Sequence, residues 1–370
     1  MSGAVRQSLF AAARALGLFG LVRRRHHEEL LVLTYHSVVE EDAAAREAFP
    51  LVYRNAVPAD LFEAQMRFLD AHYHVLDAAA LRRALSTGDV PARAAVVTFD
   101  DGLVNNATVA HPRLDRLGIP AVFFLPTAFI TAASAGEQRV HWTEDLIARF
   151  STTTDGARQT AVAECLPDLA AAYEGEAPPS AWAVVDHLKG LARPGRQARI
   201  DALRTRLPSL DPTQFPADRD GHSILHSMTW DQAREAARSG IALGSHTVNH
   251  AILSRLPPAT AATEIRESKR QIEAETDQEA DLFAYPIGRS QDFEARHVDM
   301  LDEAGYRAAF TQIPGLNRPS TNPFVLRRIG VSGVPSLPAF EYLESGTKML
   351  VDRLLRPQRF SLPEGLEDGS

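Results

Sequence analysis

The sequence predicts an α/β fold in which parallel strands alternate with helices around one barrel-like sheet. Two observations carry this prediction: short apolar strands alternate with amphipathic helices, and several of these strands end directly in polar residues. Parallel strands need crossover connections, which helices commonly supply, so the alternation favours a parallel sheet. In a closed barrel of such units, the polar strand ends would share the face on which active sites are built.

The predicted elements follow one another along the chain. Apolar β-formers mark the strands, and proline suits the first turn of a helix, so His111-Pro112 shifts one predicted helix start. In order, we expect a strand at 30–35, a helix at 59–71, a strand at 94–99, a helix at 105–117, a strand at 121–125, a helix at 231–239, a strand at 241–243, a helix at 258–275, a strand at 282–284 and a helix at 294–304.

Residues 131–225 interrupt this alternation. The stretch is rich in Ala, Pro, Arg and Thr, and its helical segments include 182–191 and 196–207. We interpret it as a helical insertion on the β-to-α side, placed to cover or wall a site. His141-Trp142, near its start, has two interpretations: a sugar-stacking element, or an aromatic anchor of the hydrophobic core.

Composition excludes several function classes. The chain has 370 residues and a net charge of −8, which argues against nucleic acid as the main partner. The single cysteine, Cys165, excludes an internal disulfide framework and a thiolate cluster. The sequence contains neither a Gly-rich phosphate loop nor a Gly-x-Ser-x-Gly elbow.

The N-terminal stretch 8–22 is mainly apolar but contains Arg14 and is followed by Arg23-Arg24-Arg25. A secretory signal typically lacks internal arginine and ends in small residues, and the stretch is too short to span a bilayer. It is interpreted either as a helix packed on the main domain or as a helix lying along a membrane surface. We therefore predict a cytoplasmic protein, with peripheral contact at the inner face of the membrane as the alternative for this segment.

The stretch 96–102, Val-Val-Thr-Phe-Asp-Asp-Gly, predicts a buried strand that ends in two adjacent carboxylates. Paired aspartates are not favoured in a strand interior, and two like charges side by side usually need a cation or a shared proton. Asp100 and Asp101 therefore have the arrangement expected of a general base next to a metal ligand. The alternative is a solvated Asp-Asp-Gly turn.

A second strand, at 241–243, leads into His246 and His250. A one-turn helical spacing would place both imidazoles on one face, so both would reach the same metal ion. Two histidines and a carboxylate with open positions suit zinc or another divalent transition metal. His222 and His226 have the same spacing but precede a helix start, so they serve as an internal control for chance spacing.

These motifs resemble the first two motifs of the polysaccharide deacetylase family, which includes chitin deacetylases and nodulation-factor deacetylases. The resemblance rests on Thr98–Gly102, His246–His250, Tyr35-His36-Ser37-Val38 and Phe283–Gly288, and covers roughly residues 30–130 and 226–332. It implies a distorted (β/α) barrel of the polysaccharide deacetylase type with a helical insertion. The domains would be an N-terminal helix at 1–28, a deacetylase barrel at 29–340, interrupted at about 131–225, and a C-terminal extension at 341–370.

The resemblance also implies roles for single residues. Asp101, His246 and His250 match the metal ligands, Asp100 matches the general base, and the peptide N–H of Ile287 matches a donor to the oxyanion. His36 is the candidate proton donor, with a purely orienting role as the alternative. The residues predicted to bind the substrate are Tyr35, Tyr285 and Arg327.

Two positions depart from the family pattern. The third motif usually carries an arginine that braces the base, where this chain has Ala284. The last motif usually ends in a histidine that acts as the general acid, where this chain has Arg328. These departures support an alternative hypothesis, a glycan-binding module with impaired catalysis.

Together, the residues and the resemblance predict a metal-dependent hydrolase that removes acetyl groups, foremost N-acetyl groups, from a polysaccharide or oligosaccharide such as an exopolysaccharide or cell-surface glycan. An O-acetyl ester deacetylase would use the same residues. The predicted cofactor is a divalent metal, zinc before cobalt, nickel or manganese. The predicted partner is an acetylated glycan.

Overall fold

The computed structural model describes residues 3–40, 43–173, 179–355 and 360–366. Its strands are β1 Leu31–Tyr35, β2 Ser37–Val39, β3 Ala56–Pro58, β4 His74–Val75, β5 Ala94–Phe99, β6 Val122–Leu125, β7 Ala242–Ser245, β8 Leu282–Ala284, β9 Ala308–Phe310 and β10 Ile329–Gly330. Its helices are α1 Gly3–Ala15, α2 Leu18–Arg25, α3 Ala43–Ala48, α4 Ala59–His72, α5 Ala78–Thr87, α6 His111–Leu117, α7 Thr127–Ser134, α8 Trp142–Ser151, α9 Asp155–Cys165, α10 Pro167–Ala171, α11 Ala181–Lys189, α12 Arg193–Arg206, α13 Trp230–Arg238, α14 Pro258–Thr276, α15 Ala295–Glu303, α16 Leu337–Glu344 and α17 Thr347–Leu355.

The main sheet is parallel and curls into a distorted barrel. Its strand order is β10-β1-β5-β6-β7-β8-β9, with β4 added beside β5. A parallel bridge between Phe310 and Leu326 brings the segment that leads into β10 next to β9, at the opposite end of this order. The predicted α/β barrel is therefore confirmed, and the carboxyl ends of its strands meet on one face.

Alternation along the strands separates two apolar layers. Leu31, Leu33 and Tyr35 of β1 pack with Phe62 and other residues of α4 in the layer between sheet and helices. Val32 belongs to a second cluster with side chains of the other strands, inside the curl of the sheet. Because successive strand residues point to opposite faces, Val96, Thr98 and Asp100 follow one another on the inner side of β5.

Most predicted elements lie where the sequence places them. The strands predicted at 94–99 and 282–284 have those bounds, and the helix predicted at 258–275 extends one residue further. The helix predicted at 105–117 is present from residue 104 to residue 117, with a π-helical turn at 106–110 and the regular α6 from His111, before the proline. The proline thus marks the first turn of α6, as its missing N–H favours.

The insertion is helical and has a core of its own. Helices α8 to α12 contribute to a separate cluster that includes Phe150, Val184 and Leu203. Trp142 packs against this cluster as a partly buried residue, which supports the core-anchor interpretation. His141 is buried and stacks on Phe129 with 4.1 Å between ring centroids, so it offers no free face to a sugar.

The N-terminal segment forms two helices rather than the single predicted one, because Gly17 takes a left-handed conformation (φ 70°) between them. The pair packs on α16: Phe10 stacks on Tyr342 at 4.7 Å, and Arg23 forms a buried ion pair with Glu344. Helix α16 also runs across the predicted boundary at residue 340/341.

The outer side of this helix pair still exposes apolar side chains, namely Val5, Leu9, Leu16, Leu18 and Leu21. In the described chain, no single helix has the length and apolarity needed to cross a membrane, whereas the bent α1–α2 pair meets the criterion by length and composition only. Packing on the main domain accounts for the buried side of the α1–α2 pair. Contact of its exposed side with a membrane surface stays a prediction.

Candidate functional site

A cavity of about 250 Å³ opens at the carboxyl ends of the barrel strands. Barrel loops form its floor, and the insertion supplies part of its wall. It is lined by His36, Arg54, Asn55, Asp100, Asp101, Thr143, Glu144, Trp182, Lys189, His246, His250, Ile287, Arg289 and Gln312. Six of the sequence-predicted site residues, the metal ligands and the catalytic candidates, therefore share one cavity.

The two adjacent aspartates separate because the backbone turns sharply after β5. Asp100 follows the inner side of the strand and is 2% exposed, whereas Asp101 takes a left-handed conformation (φ 72°). Gly102 is also left-handed, and a β-carbon there would lie 2.8 Å from Ile130 Cδ1. The turn thus needs glycine at this position, and it directs the two carboxylates to different partners.

The carboxylate of Asp101 lies against both predicted histidines. Its Oδ1 is 3.5 Å from His246 Nε2 and 3.2 Å from His250 Nε2. One ligand atom from each of the three residues lies within 4.8 Å of the others. The structure therefore brings together the three residues predicted as metal ligands.

The geometric reason given for the histidine pair was wrong, although the pair converges. Residues 246–250 form an irregular turn, not a helix, and Thr247 (φ 63°) and His250 (φ 51°) are left-handed. Glu264 of α14 holds this turn by accepting hydrogen bonds from Asn249 N at 2.9 Å and from Asn249 Nδ2 at 2.8 Å. Tertiary contacts, rather than helical periodicity, aim both imidazoles at Asp101.

The chemistry of these donors fits a divalent metal. His246 Nδ1 lies 2.7 Å from the carbonyl oxygen of Ala284. Because a carbonyl only accepts, Nδ1 must carry the proton, and the Nε2 lone pair faces Asp101. Burial lowers the pKa of His250, which keeps that imidazole neutral. Two neutral imidazoles and a carboxylate form a common set for zinc and related ions.

The pKa of Asp101 is held well below its ordinary value. Burial alone would raise it, but the interactions with His246 and His250 beside the carboxylate outweigh burial. The carboxylate is therefore ionised near neutral pH, as a metal ligand must be.

The control pair His222 and His226 does not form such a set. His222 Nδ1 bonds Asp218 Oδ2 at 2.8 Å, whereas His226 Nδ1 accepts from the peptide N–H of Ser223 at 3.3 Å. Ligand atoms of His222, Asp218 and Asp220 lie within 4.8 Å of one another, but His226 contributes none to this cluster. Spacing alone thus fails to bring this pair to one point.

Asp100 is braced by an arginine that the sequence analysis noted only as a departure from the family pattern. Arg328, beside β10, donates from Nη1 to Asp100 Oδ1 at 2.8 Å and from Nη2 to Oδ2 at 2.7 Å. Gln312 Nε2 donates to Oδ2 at 3.0 Å. Arg328, which lies beside β10, therefore takes the bracing place of the arginine that the family usually carries at the position of Ala284 in β8.

Two further donors of Arg328 are also bonded. Its Nε donates to the carbonyl oxygen of Thr311 at 2.7 Å, and Nη1 approaches Thr98 Oγ1 at 3.3 Å. Burial would raise the pKa of Asp100, but the charge of Arg328 and its hydrogen bonds to the carboxylate hold it below its ordinary value. Asp100 is thus an ionised carboxylate near neutral pH.

Ile287 and His36 present unpaired groups to the same cavity. The peptide N–H of Ile287 donates to no other described residue, and Ile287 is left-handed (φ 62°) although it is β-branched. The Nδ1 atom of His36 is buried with no hydrogen-bond partner among the described residues. Because both residues line the cavity, these two unpaired groups are the candidates for bonding a substrate there.

The three predicted substrate-binding residues do not line this cavity. Tyr35 is 1% exposed and donates to Gln65 Oε1, and Tyr285 is 1% exposed and donates to the carbonyl oxygen of Phe324. Arg327 donates to the carbonyl oxygen of Phe360 and borders a different cavity. These assignments are corrected: the aromatic rings belong to the core, and Arg327 points away because it alternates with Arg328.

The sequence analysis missed the bracing role of Arg328 and eight residues that line the cavity, namely Arg54, Asn55, Thr143, Glu144, Trp182, Lys189, Arg289 and Gln312. Arg328 was noticed as a departure but not as a brace, because its strand contributes only two residues to the sheet. Gln312 follows the short strand β9, whose polar end is the kind of signal used for the other strands. Trp182 and Lys189 lie on α11 of the insertion, and a helical periodicity does not reveal which residue faces a distant barrel.

We expect His246→Ala to abolish binding of a divalent metal, because it removes one of three donors from the set. Metal content after dialysis against Zn²⁺, measured by mass spectrometry, tests this. His222→Ala is the matched control and should retain the metal content of the native protein. Full occupancy in His246→Ala would contradict the ligand assignment.

We expect Arg328→Met to lower the free energy of unfolding by about 3–5 kcal/mol, because it leaves the buried Asp100 carboxylate without its counter-charge. Urea unfolding of the single and double variants tests this. Adding Asp100→Asn should recover part of the loss, since no buried charge then lacks a partner. Arg318→Met, at an exposed arginine, is the control and should change stability little. Purely additive losses would contradict the coupling.

Comparisons with known proteins place this chain among similar sequences and folds. The polysaccharide deacetylase family model matches residues 212–309. YxkH of Bacillus subtilis (strain 168), named as a polysaccharide deacetylase, is 31% identical over 126 residues, which cover 34% of this chain and 43% of that protein. The chain thus aligns with less than half the length of this relative.

Two solved structures have the same fold over most of the chain. The Streptococcus pyogenes deacetylase PplD, in complex with acetate, has a TM-score of 0.54 at 18% identity and covers 85% of this chain and 98% of its own. A de-N-acetylase from Aggregatibacter actinomycetemcomitans has a TM-score of 0.51 at 17% identity and covers 85% of this chain and 99% of its own. The resemblance read from the motifs is therefore confirmed: the chain has the fold of the polysaccharide deacetylases and carries their family sequence over residues 212–309.

Proposed function

We propose that this protein is a metal-dependent hydrolase that removes acetyl groups, foremost N-acetyl groups, from a polysaccharide or oligosaccharide. One observation carries the proposal: an ionised, braced carboxylate, Asp100, lies in the same cavity as the donor set of Asp101, His246 and His250. The similar structures support the same chemistry, since one is a deacetylase in complex with acetate and another is a de-N-acetylase.

A divalent metal held by Asp101, His246 and His250 would supply Lewis acidity to the acetyl carbonyl and to the attacking water. Zinc suits these donors best, and cobalt, nickel or manganese would also accept them. The protein's own residues supply the proton transfers and part of the charge stabilisation.

Asp100 accepts the proton of the attacking water. A carboxylate has about four lone-pair positions, and Arg328 and Gln312 occupy one on Oδ1 and two on Oδ2. The remaining position on Oδ1 is available to water. Arg328 fixes the carboxylate in place and keeps it ionised, which lowers its basicity but guarantees its charge state at neutral pH.

Ile287 and His36 complete the reaction. The unpaired peptide N–H of Ile287 donates to the oxygen that becomes negative as water adds to the acetyl carbon. His36 gives a proton to the departing amine, for which its unpaired Nδ1 in the cavity is suited. Cleavage of the carbon–nitrogen bond then yields acetate and a free amine on the sugar.

The glycan-binding hypothesis loses its main support with this arrangement. That hypothesis rested on two absences: the arginine that braces the base and the histidine that acts as the general acid. Arg328 performs the bracing, and His36 occupies the cavity as an alternative donor. An O-acetyl ester would meet the same residues, but its alcohol leaves without the strong need for a proton that an amine has, so the unpaired His36 favours the amide.

We expect Asp100→Asn to lower the rate of acetate release by about 10²- to 10⁴-fold, the usual contribution of a general base, with the metal still bound. Acetate release from an N-acetylglucosamine oligomer, together with metal content, tests this. Asp281→Asn is the matched control, because Asp281 is also a buried carboxylate bonded to an arginine, Arg82, but precedes β8 at the opposite end of the barrel. An equal loss in both variants would assign the effect to folding.

We expect His36→Ala to slow hydrolysis of an N-acetylated glycan but to spare an activated aryl acetate, whose leaving group needs no proton. Comparing kcat for the two substrates tests the role of His36 as an acid. A similar slowing of both would instead assign His36 to orientation of the substrate or ligands. Unchanged rates on both would remove His36 from the mechanism.

A further inference from the structure

The insertion places a buried lysine in the wall of the cavity. Lys189 is the last residue of α11, lines the cavity and is 6% exposed. Few lysines are buried this deeply without a charge partner, because removing an ammonium group from water is costly. Its surroundings therefore indicate what it binds.

Lys189 has no anionic partner within the described part of the chain. No carboxylate there lies within ion-pair distance, and no acceptor bonds its ammonium group. Its recorded contact is with Trp182, whose ring centroid lies 4.8 Å from Lys189 Nζ. A cation–π contact recovers only part of the lost hydration of an ammonium group.

The other cations of the cavity wall are already neutralised. Arg54 bonds both carboxylate oxygens of Glu144, at 2.6 and 3.0 Å. Arg289 bonds Asp186 at 2.8 Å and Asp292 at 3.0 Å. On the floor of the cavity, Asp100 is paired with Arg328. Among the described residues that line the cavity, Lys189 is thus the cation that forms no ion pair with a carboxylate.

The charge state of Lys189 agrees with this role. Burial, with a smaller contribution from the charge of Arg289, lowers the pKa of Lys189 to about 8, although the charges of Asp292, Asp186 and Glu144 partly oppose this shift. The group is still mostly protonated at neutral pH, and a bound anion would raise its pKa again. An ammonium group in a water-depleted wall interacts with an anion more strongly than one at the surface.

We propose that Lys189 binds an oxyanion substituent of the glycan, so that the substrate is an acidic, N-acetylated polysaccharide or oligosaccharide. This inference rests on the proposed function, because it takes the cavity to be the glycan site. A carboxylate of a uronic acid and a sulfate ester offer the same charge and the same acceptor oxygens. Recognition of charge thus comes from the insertion, beside the barrel residues that act on the acetyl group.

Three tetrasaccharides distinguish the candidate ligands. One contains only N-acetylglucosamine, the second alternates N-acetylglucosamine with glucuronate, and the third is the first bearing sulfate esters. Their dissociation constants are measured by calorimetry, and acetate is assayed in the same samples. We expect at least one acidic tetrasaccharide to bind about tenfold more tightly than the neutral one, the effect of one charged hydrogen bond. The tighter of the two identifies the oxyanion.

Lys189→Met should remove this preference and leave binding of the neutral tetrasaccharide unchanged, because methionine still packs against Trp182. Lys189→Arg should retain the preference, since it keeps the charge. Lys348→Met is the matched control: Lys348 pairs with Asp352 on α17 and does not line the cavity, so both affinities should stay native.

Equal affinity of the native protein for all three tetrasaccharides would overturn the inference, as would an equal loss for acidic and neutral ligands in Lys189→Met. Acetate release without a preference for acidic ligands would overturn this inference alone. Selective binding without acetate release under any tested divalent metal would overturn the proposed function and leave charge recognition by Lys189 in place.

Discussion

The buried pair of Asp100 and Arg328 is the interaction on which the rest of the site depends. Both side chains are at most 2% exposed, so each has lost its hydration, and only complete hydrogen bonding makes such a pair tolerable. The guanidinium bonds Thr98 on β5, Asp100 directly after it and the carbonyl oxygen of Thr311 next to β9. One interaction thereby joins β5 to the short β10 and fixes the charge of the base.

Backbone strain is concentrated around this pair. Among described residues other than glycine, six have positive φ, and four of these lie at the site: Asp101, Thr247, His250 and Ile287. Such conformations cost of order 1–3 kcal/mol each and persist only where the surroundings enforce them. Here Glu264 holds the histidine turn, and Gly288 accepts a bond from the peptide N–H of Gln312 beside Ile287. Tertiary contacts within the barrel thus stabilise the strained conformations that orient the predicted metal ligands.

The sequence predicted the parts of the site that depend on strand ends. Asp100 and His246 each follow a strand, and parallel strands bring their carboxyl ends to one face whatever the intervening chain does. Arg328 could not be predicted in the same way, because its contact depends on curling of the sheet and its strand is only two residues long. Tyr35 and Tyr285 were misassigned because motif neighbours on a strand alternate between the cavity and the core.

The barrel and the insertion supply different parts of the cavity. The residues proposed to act on the acetyl group come from barrel loops, whose positions are fixed by the parallel sheet. Trp182 and Lys189 come from helix α11, which packs in a cluster of its own through Val184, Val185 and Leu188. A change on the cavity side of α11 therefore alters what the wall binds without disturbing the braced base below it. Because an unpaired buried ammonium is costly unless a ligand completes it, the wall has a preference built into its charge.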